Sequence, residues 1–79
     1  MMLKIYSTTE FQEVEVVWIE ISTPEGSFVI QKNHAPSLFL LGEEKEFIYR
    51  YRTGKQDIRV LKNGGLLHVT RDQAELFIN

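Results

Sequence analysis

Apolar residues recur at every second position in short runs along this chain, and turn residues close each run within a few residues. That spacing puts successive side chains on opposite faces of an extended strand. No window of useful length repeats apolar residues at the helical period of 3.6. Leu3 and Ile5 alternate with Lys4, and Val14 and Val16 alternate with Glu13 and Glu15. Ile19 and Ile21 continue the second run, but the phase slips between Val16 and Val17, which predicts a bulge or strong twist near Val17-Trp18. Thr23-Pro24-Glu25-Gly26 reads as a turn, with proline pre-set for the bend and glycine free to take positive φ. Ser27 to Ile30 makes the next strand, and Ser37 to Leu41 is an apolar run too short for an independent helix.

From Glu46 to Arg52 the alternation is clean, with Phe47, Tyr49 and Tyr51 on one face and Ile48, Arg50 and Arg52 on the other. Thr53-Gly54-Lys55 turns this strand into a run containing Ile58 and Val60. Lys62-Asn63-Gly64-Gly65 is a strong turn signal, because Asn-Gly favours the primed turns that match strand twist. Leu67 and Val69, then Ala74, Leu76 and Ile78, supply the last strands. About eight short strands with frequent turns predict one all-β domain over residues 1–79, a small antiparallel β-sandwich. Ile19, Ile21, Phe28, Ile30, Leu67, Val69 and Leu76 are its expected core.

Composition removes several function classes. Nine Lys and Arg against eleven Asp and Glu give a formal charge of −2. A nucleic-acid binder would need a basic face for phosphate contacts. Arg50, Arg52 and Lys55 sit among Glu43, Glu44, Glu46 and Asp57, as on a solvated mixed-charge face. The chain has no cysteine, so disulfides, thiolate metal sites and cysteine nucleophiles are excluded. Its longest apolar run, Leu38 to Leu41, is far too short to span a bilayer, so no direct membrane insertion is expected. Met1 to Ile5 lacks the apolar region of a secretion signal.

No catalytic constellation, cofactor site or metal site is predicted. The two histidines, His34 and His68, are too few for zinc without several further ligands. His68 lies between Leu67 and Val69 in opposite phase and reads as an outer-face strand residue. His34 lies in a polar loop before Pro36, where its ring nitrogens either satisfy loop carbonyls or meet a partner. No serine occupies a nucleophile elbow, and Gly64-Gly65 precedes no helix that could hold phosphate. Trp18, Phe39 and Phe77 fall at phase breaks or opposite the inward set, where they either close a sheet edge or anchor a partner.

The stretch Glu25-Gly26-Ser27-Phe28-Val29-Ile30-Gln31-Lys32-Asn33-His34-Ala35-Pro36 resembles the E-G-E-F-G-I-L-P-N-H-A-P signature of the epsilon subunit of F-type ATP synthase. Glu25, Gly26, Phe28, Ile30, Asn33, His34, Ala35 and Pro36 match it. Further on, Gly64-Gly65-Leu66-Leu67-His68-Val69 is similar to the family's G-G-F-L-E-V, and Leu3 to Ser7 is similar to its first strand. Val29 stands where the family has glycine, which predicts a different backbone there because valine resists positive φ. Ser27, Gln31 and Lys32 also depart from the pattern.

The resemblance implies the N-terminal β-sandwich of the epsilon subunit, without its C-terminal helical hairpin. It implies a non-catalytic central-stalk subunit that binds the gamma subunit and the membrane c-ring and couples ion-driven rotation to ATP synthesis. By analogy, Asn33, His34 and Phe39 face gamma, while Gly26, Ser27 and Lys32 approach the c-ring. It further implies a peripheral location on the cytoplasmic face of the inner (plasma) membrane, bacterial rather than organellar. With no hairpin, the chain is expected neither to brake ATP hydrolysis nor to bind ATP. The alternative is a small β-barrel module for single-stranded nucleic acid or a protein partner outside any ATP synthase, with Tyr49, Tyr51, Arg50 and Arg52 as contacts. The phase of that strand separates the tyrosines from the arginines.

Overall fold

A computed structural model describes residues Met1–Asn79 and contains nine strands and no helix. They are β1 (Met2–Tyr6), β2 (Phe11–Glu15), β3 (Trp18–Thr23), β4 (Gly26–Gln31), β5 (Ser37–Leu41), β6 (Lys45–Arg50), β7 (Gln56–Leu61), β8 (Gly65–Val69) and β9 (Gln73–Phe77). One sheet has the order β2-β1-β9-β8-β5 and the other β4-β3-β6-β7. The expected sandwich is therefore present, with one pairing of a different kind. β1 and β9 run parallel, with Leu3 beside Ala74 and Ile5 beside Leu76. Every other pair is antiparallel.

The predicted bulge at Val17 is a larger event than a bulge. The chain leaves the five-stranded sheet after Glu15 and enters the four-stranded sheet at Trp18. The Val16 amide donates to the Met1 carbonyl at 2.9 Å, and the next amide, Val17, donates to the Arg50 carbonyl at 2.7 Å. Consecutive backbone amides thus serve opposite layers, which is how a corner between packed sheets keeps its polar groups paired. Val16 is buried at this corner while Val17 is exposed.

The core lies between the layers. Leu3, Ile5, Leu67, Val69, Ala74 and Leu76 face inward from one sheet, and Ile19, Ile21, Ile30, Phe47, Tyr49 and Leu61 from the other. No polar or charged residue is buried. Six of the seven expected core residues are buried. Phe28 is the exception, at 39% exposed. It pairs across from Ile21 and shares the inward side with Ile30, but it lies two residues from the turn, where the opposite layer no longer covers it fully.

The turns follow the glycines, but Asn63-Gly64 makes no primed hairpin turn: Asn63 has no positive φ, and the turn passes the chain from β7 of the four-stranded sheet to β8 of the five-stranded one. Gly26, Gly54 and Gly64 have φ of 131°, 96° and 73°. At Gly64 a Cβ would stand 2.5 Å from the Leu41 carbonyl oxygen, so both torsion and space call for glycine. Val29 sits in the regular β3–β4 ladder opposite Glu20 and has no positive φ, so valine is unstrained there.

Candidate functional site

β4 and β5 are edge strands of different sheets, and the segment between them carries the chain from one layer to the other. Their side chains close this side of the sandwich. Phe28 of β4 meets Phe39 of β5 at 5.8 Å between ring centroids, and the His34 ring lies 6.2 Å from Phe39. Tilted aromatic contacts of this kind favour edge-to-face electrostatics. The connection is built by local hydrogen bonds. Asn33 takes a left-handed φ of 70°, which asparagine tolerates better than most residues. Its amide donates to the Arg71 carbonyl at 2.8 Å, tying the loop to the β8–β9 turn, and the His34 amide donates to Gln31 at 3.2 Å.

His34 Nδ1 lies 2.7 Å from the Ala35 carbonyl oxygen. A carbonyl can only accept, so Nδ1 carries a proton here, and in the neutral ring Nε2 is the acceptor. The imidazole therefore satisfies a loop carbonyl, as one sequence reading had it, and still offers one nitrogen outward. The Ser37 hydroxyl donates to the same Ala35 carbonyl at 2.9 Å, which holds the start of β5. A shallow cleft beside Phe39 is lined by Thr23, Pro24, Glu25, Leu38 and Leu40.

His34, Phe39 and Phe28 are thus brought together, and Asn33 adjoins them in the loop with its amide turned to Arg71. Gly26, Ser27 and Lys32 are not brought together. Gly26 and Ser27 lie at the β3–β4 tip, whereas Lys32 follows the far end of β4, about 20 Å along the strand at ~3.3 Å per residue. Lys32 borders a second shallow cleft with Met1, Glu15, Val16, Val17 and Arg52. The Met1 ammonium bonds Glu15 at 2.6 Å. That hydrogen bond and its charge hold the Glu15 carboxyl below the usual range, with smaller help from Arg52 and Lys32.

The remaining singled-out side chains fall elsewhere. Trp18 is half-buried on the outer face of the four-stranded sheet, with the Arg50 guanidinium 6.0 Å from its ring. His68 lies on the outer face of the five-stranded sheet, 3.3 Å from Glu75. No group of three or more His, Cys, Asp or Glu side chains is placed to hold a metal ion. Tyr49 is buried, and Tyr51 donates to Asp57 and touches Tyr49 edge-on. These two rings serve the interior and do not share a face with Arg50. Phe28, which strand phase alone points inward, lies instead part-exposed in this seam.

A two-sheet sandwich with an aromatic seam between its edges is a small all-β domain. No family model matches the sequence, and no curated protein matches it. Among solved structures, the chain is similar to one in the Euglena gracilis mitochondrial ATP synthase (OSCP, F1 and c-ring), with 25% identity and a TM-score of 0.86 over 96% of its length. It also shares its fold with a chain of the Tetrahymena thermophila mitochondrial ATP synthase central stalk and c-ring, at 19% identity and a TM-score of 0.69 over 99% of its length. It spans 48% of the Euglena chain and 62% of the Tetrahymena chain. The epsilon-type resemblance is thus matched in three dimensions: the fold is that of a small β domain found in ATP synthase central-stalk and c-ring assemblies.

Proposed function

We propose that this chain is a non-catalytic rotor subunit of an F-type ATP synthase, which grips the gamma subunit and helps seat it on the c-ring. The observation that carries this reading is the fit to the Euglena chain over nearly all of these residues. It is supported by the convergence of His34 and Phe39 on one seam, with Asn33 adjoining them. The gamma contact is made there, with Nε2 of His34 accepting a hydrogen bond and Phe28 and Phe39 supplying apolar surface. The ring contact is made at the Gly26-Ser27 tip, and a ring surface that also met Lys32 would have to follow β4 along its length. The subunit acts mechanically, so that ion-driven rotation reaches the catalytic head. Its place is peripheral to the coupling membrane. The Euglena and Tetrahymena structures are both mitochondrial, so they favour an organellar setting over the bacterial one drawn from the sequence.

Co-purification with the gamma subunit tests the seam. Wild type should form a one-to-one complex, and the double variant His34→Ala, Phe39→Ala should lose at least ten-fold in affinity while keeping its β spectrum. Undiminished binding by that folded variant would move the gamma contact off the seam.

A further inference from the structure

Asn63-Gly64 is the one place in the chain where glycine follows asparagine, and that pair is chemically reactive in water. The backbone nitrogen of the second residue can attack the side-chain amide carbon, Cγ, of the first. The nitrogen loses its proton, the bond from Cγ to the side-chain nitrogen breaks, ammonia leaves, and a five-membered succinimide remains. Water then opens the ring at one of its two carbonyls. One product is aspartate. The other is isoaspartate, in which the main chain runs through the former side chain and is one carbon longer. Glycine favours the attack because it has no side chain to hinder the approach and turns freely about φ and ψ.

The fold locks the attacking nitrogen. The Gly64 amide donates to the Leu61 carbonyl at 3.1 Å, and the same carbonyl accepts the Glu44 amide at 2.7 Å. Gly64 is buried, although Asn63 beside it is exposed. Its φ of 73° sets it against the turn between β5 and β6, where even a Cβ would stand 2.5 Å from the Leu41 carbonyl oxygen and 3.4 Å from the carbonyl carbon of Gly42. The nitrogen can therefore neither shed its hydrogen bond nor swing towards Cγ while the β7–β8 connection is closed. Reaction has to wait for that connection to open, and its rate is scaled by the fraction open.

The same packing sorts the products. Aspartate is at home in a tight turn and leaves the backbone unchanged. Isoaspartate inserts a carbon between two fixed points, Leu61 in the core and Gly64 wedged against Leu41. This connection carries the chain from the four-stranded to the five-stranded sheet. The extra length must either displace Leu61 from the core or shift β8 along β5, with which it pairs from Gly65 opposite Leu41 onward.

We propose that Asn63-Gly64 is a self-modification site gated by the fold. The closed β7–β8 connection protects it, while a chain that unfolds converts there to isoaspartate and no longer returns to the native sandwich. Water is the only co-reactant, so the site does not depend on which complex the chain joins.

The test incubates the chain at neutral pH and physiological temperature, once folded in buffer and once unfolded in urea. Peptide mass spectrometry follows the replacement of the amino by a hydroxyl group at position 63, and enzymatic methylation of isoaspartyl carboxylates separates the two products. Conversion should be at least ten-fold faster in urea, which corresponds to an opening free energy of at least about 1.4 kcal/mol in the folded chain. When the aged sample is diluted out of urea, the fraction that regains the native β spectrum and resists protease should be depleted at least ten-fold in isoaspartate. Asn63→Asp carries the charge of the product without the extra carbon, so it should fold and keep the wild-type urea midpoint. Equal rates in buffer and urea, isoaspartate undiminished in the native fraction, or failure of Asn63→Asp to fold would each overturn the proposal.

Discussion

Ile19 and Ile58 are the same residue type in the same sheet, and the fold gives them opposite weight. Ile19 is fully buried between the layers, whereas Ile58 is 57% exposed on the outer face of β7. Isoleucine to alanine removes three carbon groups, each contributing about 0.8 kcal/mol when buried. Ile19→Ala should therefore cost about 2.4 kcal/mol from transfer alone, and about 3–4 kcal/mol once the residual cavity is included. Ile58→Ala leaves no cavity, because solvent fills the space, and should cost about 1 kcal/mol or less. For 79 residues a total stability of about 4–12 kcal/mol is typical, so the first change consumes a large part of it. Urea unfolding followed by the single tryptophan, Trp18, measures both. With a slope near 1 kcal/mol per molar urea, the Ile19→Ala midpoint should fall by about 3 M and the Ile58→Ala midpoint by about 1 M at most. Equal costs would refute the inside-outside assignment of the four-stranded sheet.

Two further outcomes follow from local geometry. Tyr51 donates to Asp57, and this bond, with burial, raises the Tyr51 pKa well above its usual value of 10.0. The stabilisation is full below the unfolded-state pKa and is lost as pH rises towards the folded one, so thermal unfolding of wild type should fall more steeply above pH ~10 than that of Tyr51→Phe. Gly64→Ala places a Cβ against the Leu41 carbonyl at a positive φ, and denaturation should show a loss above about 1 kcal/mol, with Gly54→Ala, which meets only a guanidinium tip, losing less.

The parts of the fold legible in the sequence are those set by neighbours along the chain. Phe47 with Tyr49, Leu67 with Val69, and Ala74 with Leu76 face inward as period two requires, and the turns at Gly26, Gly54 and Gly64 fall where glycine permits positive φ. What escaped depends on partners distant in sequence. The parallel pairing of β1 with β9 joins strands some 70 residues apart, and no local pattern encodes it. The slip at Val16-Val17 is visible as lost phase, but a bulge and a change of sheet leave the same trace until their hydrogen-bond partners, Met1 and Arg50, are known. Ser37 to Leu41 is apolar on both faces, because Leu41 is buried in the core while Leu38 and Leu40 face outward.

The seam was half legible. His34 and Phe39 emerged from the loop and the phase break, but Phe28 did not, since its burial depends on where the opposite sheet stops. Lys32 was grouped with Gly26 and Ser27 by analogy with the family, and the extended β4 strand sets it apart from them. The apolar row across the outer face of the five-stranded sheet was legible only at Phe77, which falls opposite the inward set; Phe11, Tyr6, Leu66 and Leu40 join it through the register alone. Its five residues come from five strands, and only the register places them side by side.

The central claim is that this domain works in the rotor of an ATP synthase. The most direct measurement is affinity isolation of the tagged chain from gently solubilised membranes of its own source organism, with the recovered proteins identified by mass spectrometry. The account expects the gamma subunit, the catalytic head subunits and the c-ring to be recovered together in stoichiometric amounts. Recovery of the folded chain without any ATP synthase subunit, from membranes whose ATP synthase is intact, would contradict it.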